Sequence, residues 1–162
     1  MPDLPAPVAI GTDILEEIYR EARNSFPAEC CGWLFGAMGS ARVSRVRSCI
    51  NDQASGNHPT VAERTSEAAY VLSGEDLLAL NRSFDTEEPA LVIYHSHPNG
   101  RAYLSETDRQ VATSPWGDEP AYPVQQVVIG IDQHRVVAAA HFAWSEEEKG
   151  FVEIARYAGA EI

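Results

Sequence analysis

Leu91-Val92-Ile93-Tyr94-His95-Ser96-His97-Pro98 is the stretch on which the reading of this chain turns. Leu91-Val92-Ile93 is a short apolar run of the kind that forms a buried strand. Side chains alternate faces along a strand, so His95 and His97 project to the same side. Two strand rises separate their α-carbons by about 6.6 Å, close enough for both imidazoles to converge on one ion. Pro98 has no N–H and stops regular pairing, and Asn99-Gly100 then turns the chain.

Ser105-Glu106-Thr107-Asp108 follows, a hydroxyl with a carboxylate three residues later. That is a capping-box pattern and predicts a short helix over Ser105–Thr113. By itself the box marks a helix start and nothing more. After a strand that ends in two same-face imidazoles, the helix can return a carboxylate to that strand end. Two nitrogens, one oxygen and an open fourth position describe catalytic zinc. Hydrolysis at such a site also needs a carboxylate to take a proton from water and pass it to the leaving group. Residue chemistry alone leaves Glu29, Glu63, Glu106 and Asp118 open for that task.

The pattern His95-Ser96-His97-Pro98, six residues, Ser105, two residues, Asp108 resembles the JAMM metallopeptidases of the MPN-domain class. Pro27-Ala28-Glu29-Cys30-Cys31-Gly32-Trp33-Leu34-Phe35-Gly36 resembles the acidic segment of the same family, where a Glu precedes a Cys-Gly and an apolar strand. The likeness runs roughly from Ile14 to Phe142. It implies that His95, His97 and Asp108 hold one Zn2+ with water as fourth ligand. It further implies that Glu29 is the general acid/base and that Ser105 helps stabilise the oxyanion. The implied fold is α/β, a mixed β-sheet flanked by helices of the cytidine-deaminase-like type, with zinc at the sheet's edge.

The resemblance also narrows the substrate to a peptide or isopeptide bond after the C-terminal Gly-Gly of a ubiquitin-like protein. The segment Glu88–His97 looks most like the compact bacterial branch, whose members process ubiquitin-like sulfur-carrier proteins by releasing a C-terminal cysteine or short extension. A deconjugating isopeptidase and a non-catalytic MPN scaffold are the alternatives within the family. Outside it, two histidines and a carboxylate also form the facial triad of non-haem iron enzymes. A Gly-Gly tail is flexible enough to pair with a sheet edge by β-augmentation. We expect it to run between Asn51–Tyr70 and Pro98–Leu104.

Composition bounds the remaining possibilities. The chain has 162 residues, 44% of them hydrophobic, enough for one domain with a packed core. With 24 acidic and 12 basic residues the formal charge is −12, which opposes binding to nucleic acid phosphates and anionic lipids. No apolar run is long enough to span a membrane. The N-terminus lacks the basic start and apolar stretch of a signal peptide. Of three cysteines, Cys30 and Cys31 are adjacent and Cys49 stands alone, which argues against a disulfide framework. A cytoplasmic protein is expected, with Cys31 as a small core residue.

Residues 1–11 carry three prolines and read as a flexible arm ahead of a single domain over 12–162. A helix starts near Asp13, with Ile14, Ile18 and Ala22 as its core-facing stripe, and ends at Asn24–Pro27. Cys31–Gly36 reads as a strand, as does Ala41–Ile50 more weakly. Asn51–Pro59 has turn chemistry throughout, and includes His58; a short strand is expected over Ala68–Leu72. Ser73 caps a helix whose apolar face is expected from Leu77, Leu78 and Leu80. Thr113–Pro123 is a loop in which Trp116 either grips a partner or packs down on the core. Gln126–Ile131 and Arg135–Ala143 bracket a hairpin turn holding His134, with His141 on the second strand. Phe151, Ile154 and Tyr157 recur at near-helical spacing, so the tail reads as a docked helix or a partner surface.

Overall fold

The computed structural model describes residues 4–49 and 72–162. Three helices, α1 (Thr12–Ser25), α2 (Gly74–Ser83) and α3 (Glu106–Ala112), are interleaved with six strands. The strands are β1 (Cys31–Phe35), β2 (Arg45–Cys49), β3 (Ala90–His97), β4 (Gln125–Ile131), β5 (Val136–Ser145) and β6 (Gly150–Ala160). They form one mixed sheet in the order β2-β1-β3-β4-β5-β6. The expected α/β architecture is therefore the one observed. Asn51–Pro59, His58 and all of the predicted Ala68–Leu72 strand except Leu72 lie outside the described residues.

β3 and β4 are parallel neighbours; every other adjacent pair is antiparallel. Parallel strands cannot be joined by a hairpin and need a crossover, usually helical. Here the crossover carries α3, and this connection brings a helix N-terminus back over the carboxyl end of β3.

Each sheet face has its own cover. On one, the predicted stripe Ile14, Ile18 and Ala22 of α1 is buried with Tyr19 against Val92, Tyr94, Val127 and Ile129. On the other, α2 sets Leu80 against Trp33, Ile93 and Val124. The chain around α3 sets Ala102, Leu104 and Ala112 against Val128, Ala140 and Phe142. His95 and His97 continue the face of Ile93 toward the end of β3.

Tight approach explains two glycines. A Cβ at Gly32 would lie 2.3 Å from the Arg47 carbonyl oxygen and 2.5 Å from the Tyr94 hydroxyl. One at Gly130 would lie 2.8 Å from the Ala102 nitrogen, because the Arg101-Ala102 backbone crosses directly over β4.

Four expectations need correction. The tail is a strand: β6 pairs antiparallel with β5 along its length. Its register shifts between His141 and Phe142, leaving Ile154 as an extra residue, so the inward parity changes partway along. Phe151 thus packs with Phe142 on one face and Tyr157 against the α1 cluster on the other, which imitates a three-residue period. In α2 the buried residues are Asp76 and Leu80, while Leu77 and Leu78 are exposed. The helix is turned by Asp76, which accepts from the Arg47 guanidinium at 3.0 Å. The strand expected from Ala41 starts only at Arg45, because Gly39 and Ala41 both take positive φ and hold a turn there, and Ile50 lies outside the described residues. Zinc was expected at the sheet's edge, yet the two histidines end an interior strand, the switch point between antiparallel β1 and parallel β4.

Near the N-terminus, the backbone N–H of Val8 donates to Gln125 Oε1 at 2.8 Å, and Ala9 exchanges backbone hydrogen bonds with Ala41 and Val43. Trp116 is 84% exposed in its loop. Among the described residues no helix is long and apolar enough to cross a membrane.

Candidate metal centre

Strand alternation and the crossover together assemble the site. His95 and His97 are both buried and bring their Nε2 atoms within 3.1 Å of each other. Asp108, one turn into α3, places Oδ2 3.0 Å from each nitrogen. The same Oδ2 accepts from the Ser105 backbone N–H at 3.0 Å, and the Ser105 hydroxyl accepts from the Asp108 N–H at 3.1 Å. The predicted capping box is thus real, and it also orients the carboxylate toward the histidines. Ser105 Oγ caps the helix as an acceptor, which engages a lone pair and not its hydroxyl proton.

This triangle fits a metal ion better than it fits hydrogen bonding. A neutral imidazole carries one N–H, directed along one axis. Two Nε2 atoms that converge on one oxygen and on each other make more short contacts than such protons can align with. Tetrahedral zinc with bonds of about 2.0–2.1 Å spaces its ligand atoms roughly 3.3 Å apart, close to the separations seen here. Burial lowers the His95 imidazole below its ordinary value against the opposing pull of Asp108, which favours the neutral, ligating form. For Asp108, burial alone would raise the carboxyl; the neighbouring His95 and then His97 outweigh it and hold the group below the usual carboxylate range.

Glu29 approaches from the residues just before β1. It is 4% exposed, and one of its carboxylate oxygens lies within 4.8 Å of a ring nitrogen of each histidine. Two carboxylates therefore face the histidines, and the tighter geometry belongs to Asp108. Ser96, whose side chain points away from the two rings, fixes the approach. Its Oγ accepts from the Cys30 N–H at 2.8 Å, and its own N–H donates to the Cys30 carbonyl at 3.1 Å. Of the other acids open at the outset, Glu106 and Asp118 are exposed and Glu63 lies outside the described residues. Cys31 pairs with His95 across β1 and β3 and is fully buried, as expected of a core residue. Burial first, and Cys49 next, push its thiol up, and its sulfur is not among the ligand atoms that cluster with the two histidines.

Ser96 and Tyr103 also border the site, and no spacing in the sequence singles them out. The Tyr103 ring meets His97 edge-on with centroids 5.0 Å apart and remains 41% exposed. Its only signal in the sequence is an aromatic residue two positions before the helix cap.

A mixed sheet with a His-His-Asp triangle at the end of a central strand, and a buried Glu beside it, defines an α/β domain of the JAB/MPN-like class. The profile of prokaryotic homologs of the JAB domain matches residues 11–151, and the chain belongs to that family. Curated relatives from Mycobacterium tuberculosis and Mycobacterium bovis, named CysO-cysteine peptidase, are 35% identical over 108 residues, 67% of each chain. Among solved structures, a protein of Salinibacter ruber superposes with a TM-score of 0.58 at 22% identity. One from Desulfitobacterium hafniense does so with 0.56 at 23%. Each covers 90% of this chain and 88% of its own, and at such identity the likeness concerns the fold.

Proposed function

We propose that this chain is a zinc-dependent peptidase that cuts after the C-terminal Gly-Gly of a ubiquitin-like sulfur-carrier protein, releasing a cysteine or short extension. The observation that carries the reading is the convergence of His95 Nε2, His97 Nε2 and Asp108 Oδ2 to within 3.1 Å, with the Glu29 carboxylate alongside. The name of the mycobacterial relatives supports cysteine as the released residue.

His95, His97 and Asp108 would hold the ion. Bound zinc supplies a polarised carbonyl and a water whose pKa falls to about 7. A Glu29 carboxylate oxygen takes the proton of the attacking water. It then delivers that proton to the leaving amine nitrogen as the C–N bond breaks. The Ser105 hydroxyl, already accepting from the Asp108 N–H, donates its own hydrogen to the developing oxyanion. Burial of Glu29 removes competing water from its carboxylate. A Gly-Gly tail suits the site because backbone without side chains approaches closely.

The test is to incubate the zinc-loaded chain with Gly-Gly-tailed carriers bearing a C-terminal cysteine and weigh the products. Cleavage after the second glycine is the expected result. Intact carriers across a panel, with zinc bound stoichiometrically, would sink the proposal. A carrier joined to a lysine side chain, run in parallel, separates the deconjugating alternative.

A further inference from the structure

Beside the candidate metal centre lies a second, cationic recess of ≈ 440 Å³, lined by Arg101, Tyr103, Val137 and Arg156 among others. It sits on the sheet face that carries the histidines, since the Arg101-Ala102 backbone crosses Gly130, the partner of His97 across β3 and β4. Tyr103 forms a common wall: one side lines the recess, and the ring edge meets His97 at 5.0 Å. The Arg101 guanidinium carbon stands 5.7 Å from the centre of the same ring.

The charges here run against the rest of the chain, which has twice as many acids as bases. Arg156 is held in place by Glu153 at 2.8 Å and by the Ala102 carbonyl at 3.2 Å. Arg101 has no ion-pair partner among the described residues. Asp132, which lies beside Gly100, accepts from the backbone N–H groups of His134 and Arg135. Gly100 takes a φ of +77°, and its N–H donates to the Ile131 carbonyl at 2.9 Å, which anchors the loop that presents Arg101.

From this geometry we propose that Arg101 and Tyr103 form the leaving-group subsite, binding the free α-carboxylate of a short C-terminal extension. The inference rests on the peptidase reading above and deepens it. The 5.0 Å from the His97 ring to Tyr103 and the 5.7 Å on to the guanidinium set an upper limit on the reach, which at about 3.3–3.6 Å per extended residue is at most about three residues. A main-chain α-carboxylate at that distance exists only when the bond cut lies near the chain end. A guanidinium receives a carboxylate through paired N–H donors, and the aromatic wall sets their plane. The recess thus selects terminal trimming over removal of a modifier from a lysine side chain.

The experiment compares carriers that end in Gly-Gly-Cys as the free acid or as the C-terminal amide, cut by the full zinc-loaded chain. The wild type is expected to favour the acid by about 10- to 100-fold in kcat/KM, the scale of a charge-assisted contact. Arg101→Gln should bring the ratio to within about twofold of unity, Arg101→Lys should retain part of it, and Arg45→Gln on β2 should keep all of it. Equal cutting of acid and amide by the wild type, or an unchanged ratio in Arg101→Gln, overturns the subsite while leaving the peptidase standing. A second readout needs no turnover. Metal-free protein is titrated with S-methylcysteine or its amide at millimolar concentration while the backbone amide resonances of Gly100–Leu104 are followed. The acid alone should shift them, and Arg101→Gln should abolish the shift. If neither carrier is cut, the peptidase reading falls, and this titration alone upholds the subsite or overturns it.

Discussion

His95 and His141 are both fully buried in the same sheet, on opposite faces, and their partners differ in kind. His141 faces α1. Its Nε2 donates to Gln125 Oε1 at 2.6 Å, and its Nδ1 accepts from the Tyr157 hydroxyl at 2.7 Å. Both ring nitrogens meet neutral groups with complementary hydrogen-bonding roles, which completes the imidazole's needs. His95 faces the other way, where its Nε2 shares a carboxylate oxygen with a second imidazole. Burial therefore does not mark a functional histidine; the chemistry that converges on its nitrogens does.

The sharpest break of this comparison is Asp108→Ala, which removes one corner of the triangle and the helix-capping carboxylate together. We expect substoichiometric zinc by metal analysis and no detectable turnover, whereas His141→Gln should keep its zinc. Next in size is Glu29→Gln. It should retain zinc while turnover falls by about 10²- to 10⁴-fold, the usual contribution of a positioned acid/base. Normal cleavage by that variant would remove Glu29 from its role.

On the opposite face the expected signature is pH-dependent stability. Burial lowers the His141 pKa to about 4, below its ordinary value of 6.5. Between those values the unfolded chain takes up the proton and the folded chain does not. Stability should therefore fall as pH drops from 6.5 toward 4 and level off below, by at most about 3 kcal/mol. Urea unfolding at a series of pH values, wild type against His141→Gln, isolates this slope; parallel curves would refute it. The smallest effect is Ser96→Ala, which leaves the buried Cys30 N–H unpaired. A loss of about 1–3 kcal/mol in unfolding free energy is expected, with zinc retained.

The legibility of the chain follows from which interactions are local. Same-face projection of His95 and His97 needs only the period of a strand, and the Ser105–Asp108 box needs only one helical turn. Both were readable from spacing, as was the α1 stripe. The tail misled because a single bulge in β6 changed which parity faces inward, and the bulge exists only through pairing with β5. The face of α2 misled for a similar reason: the Asp76–Arg47 pair joins residues from separate elements.

By itself the sequence determined the two imidazoles on one face and the capped carboxylate after them, because backbone periodicity dictates each; the acid before the first strand was singled out only by the family resemblance. Only the tertiary structure decided that these groups meet. The parallel β3–β4 pair requires a crossover, and that crossover returns α3 to the strand end. Ser96 holds Cys30, so Glu29 arrives beside the rings. The same folding laid Arg101 and Tyr103 beside the candidate metal centre, a neighbourhood that no residue spacing encodes, because it depends on the close passage of a loop over Gly130.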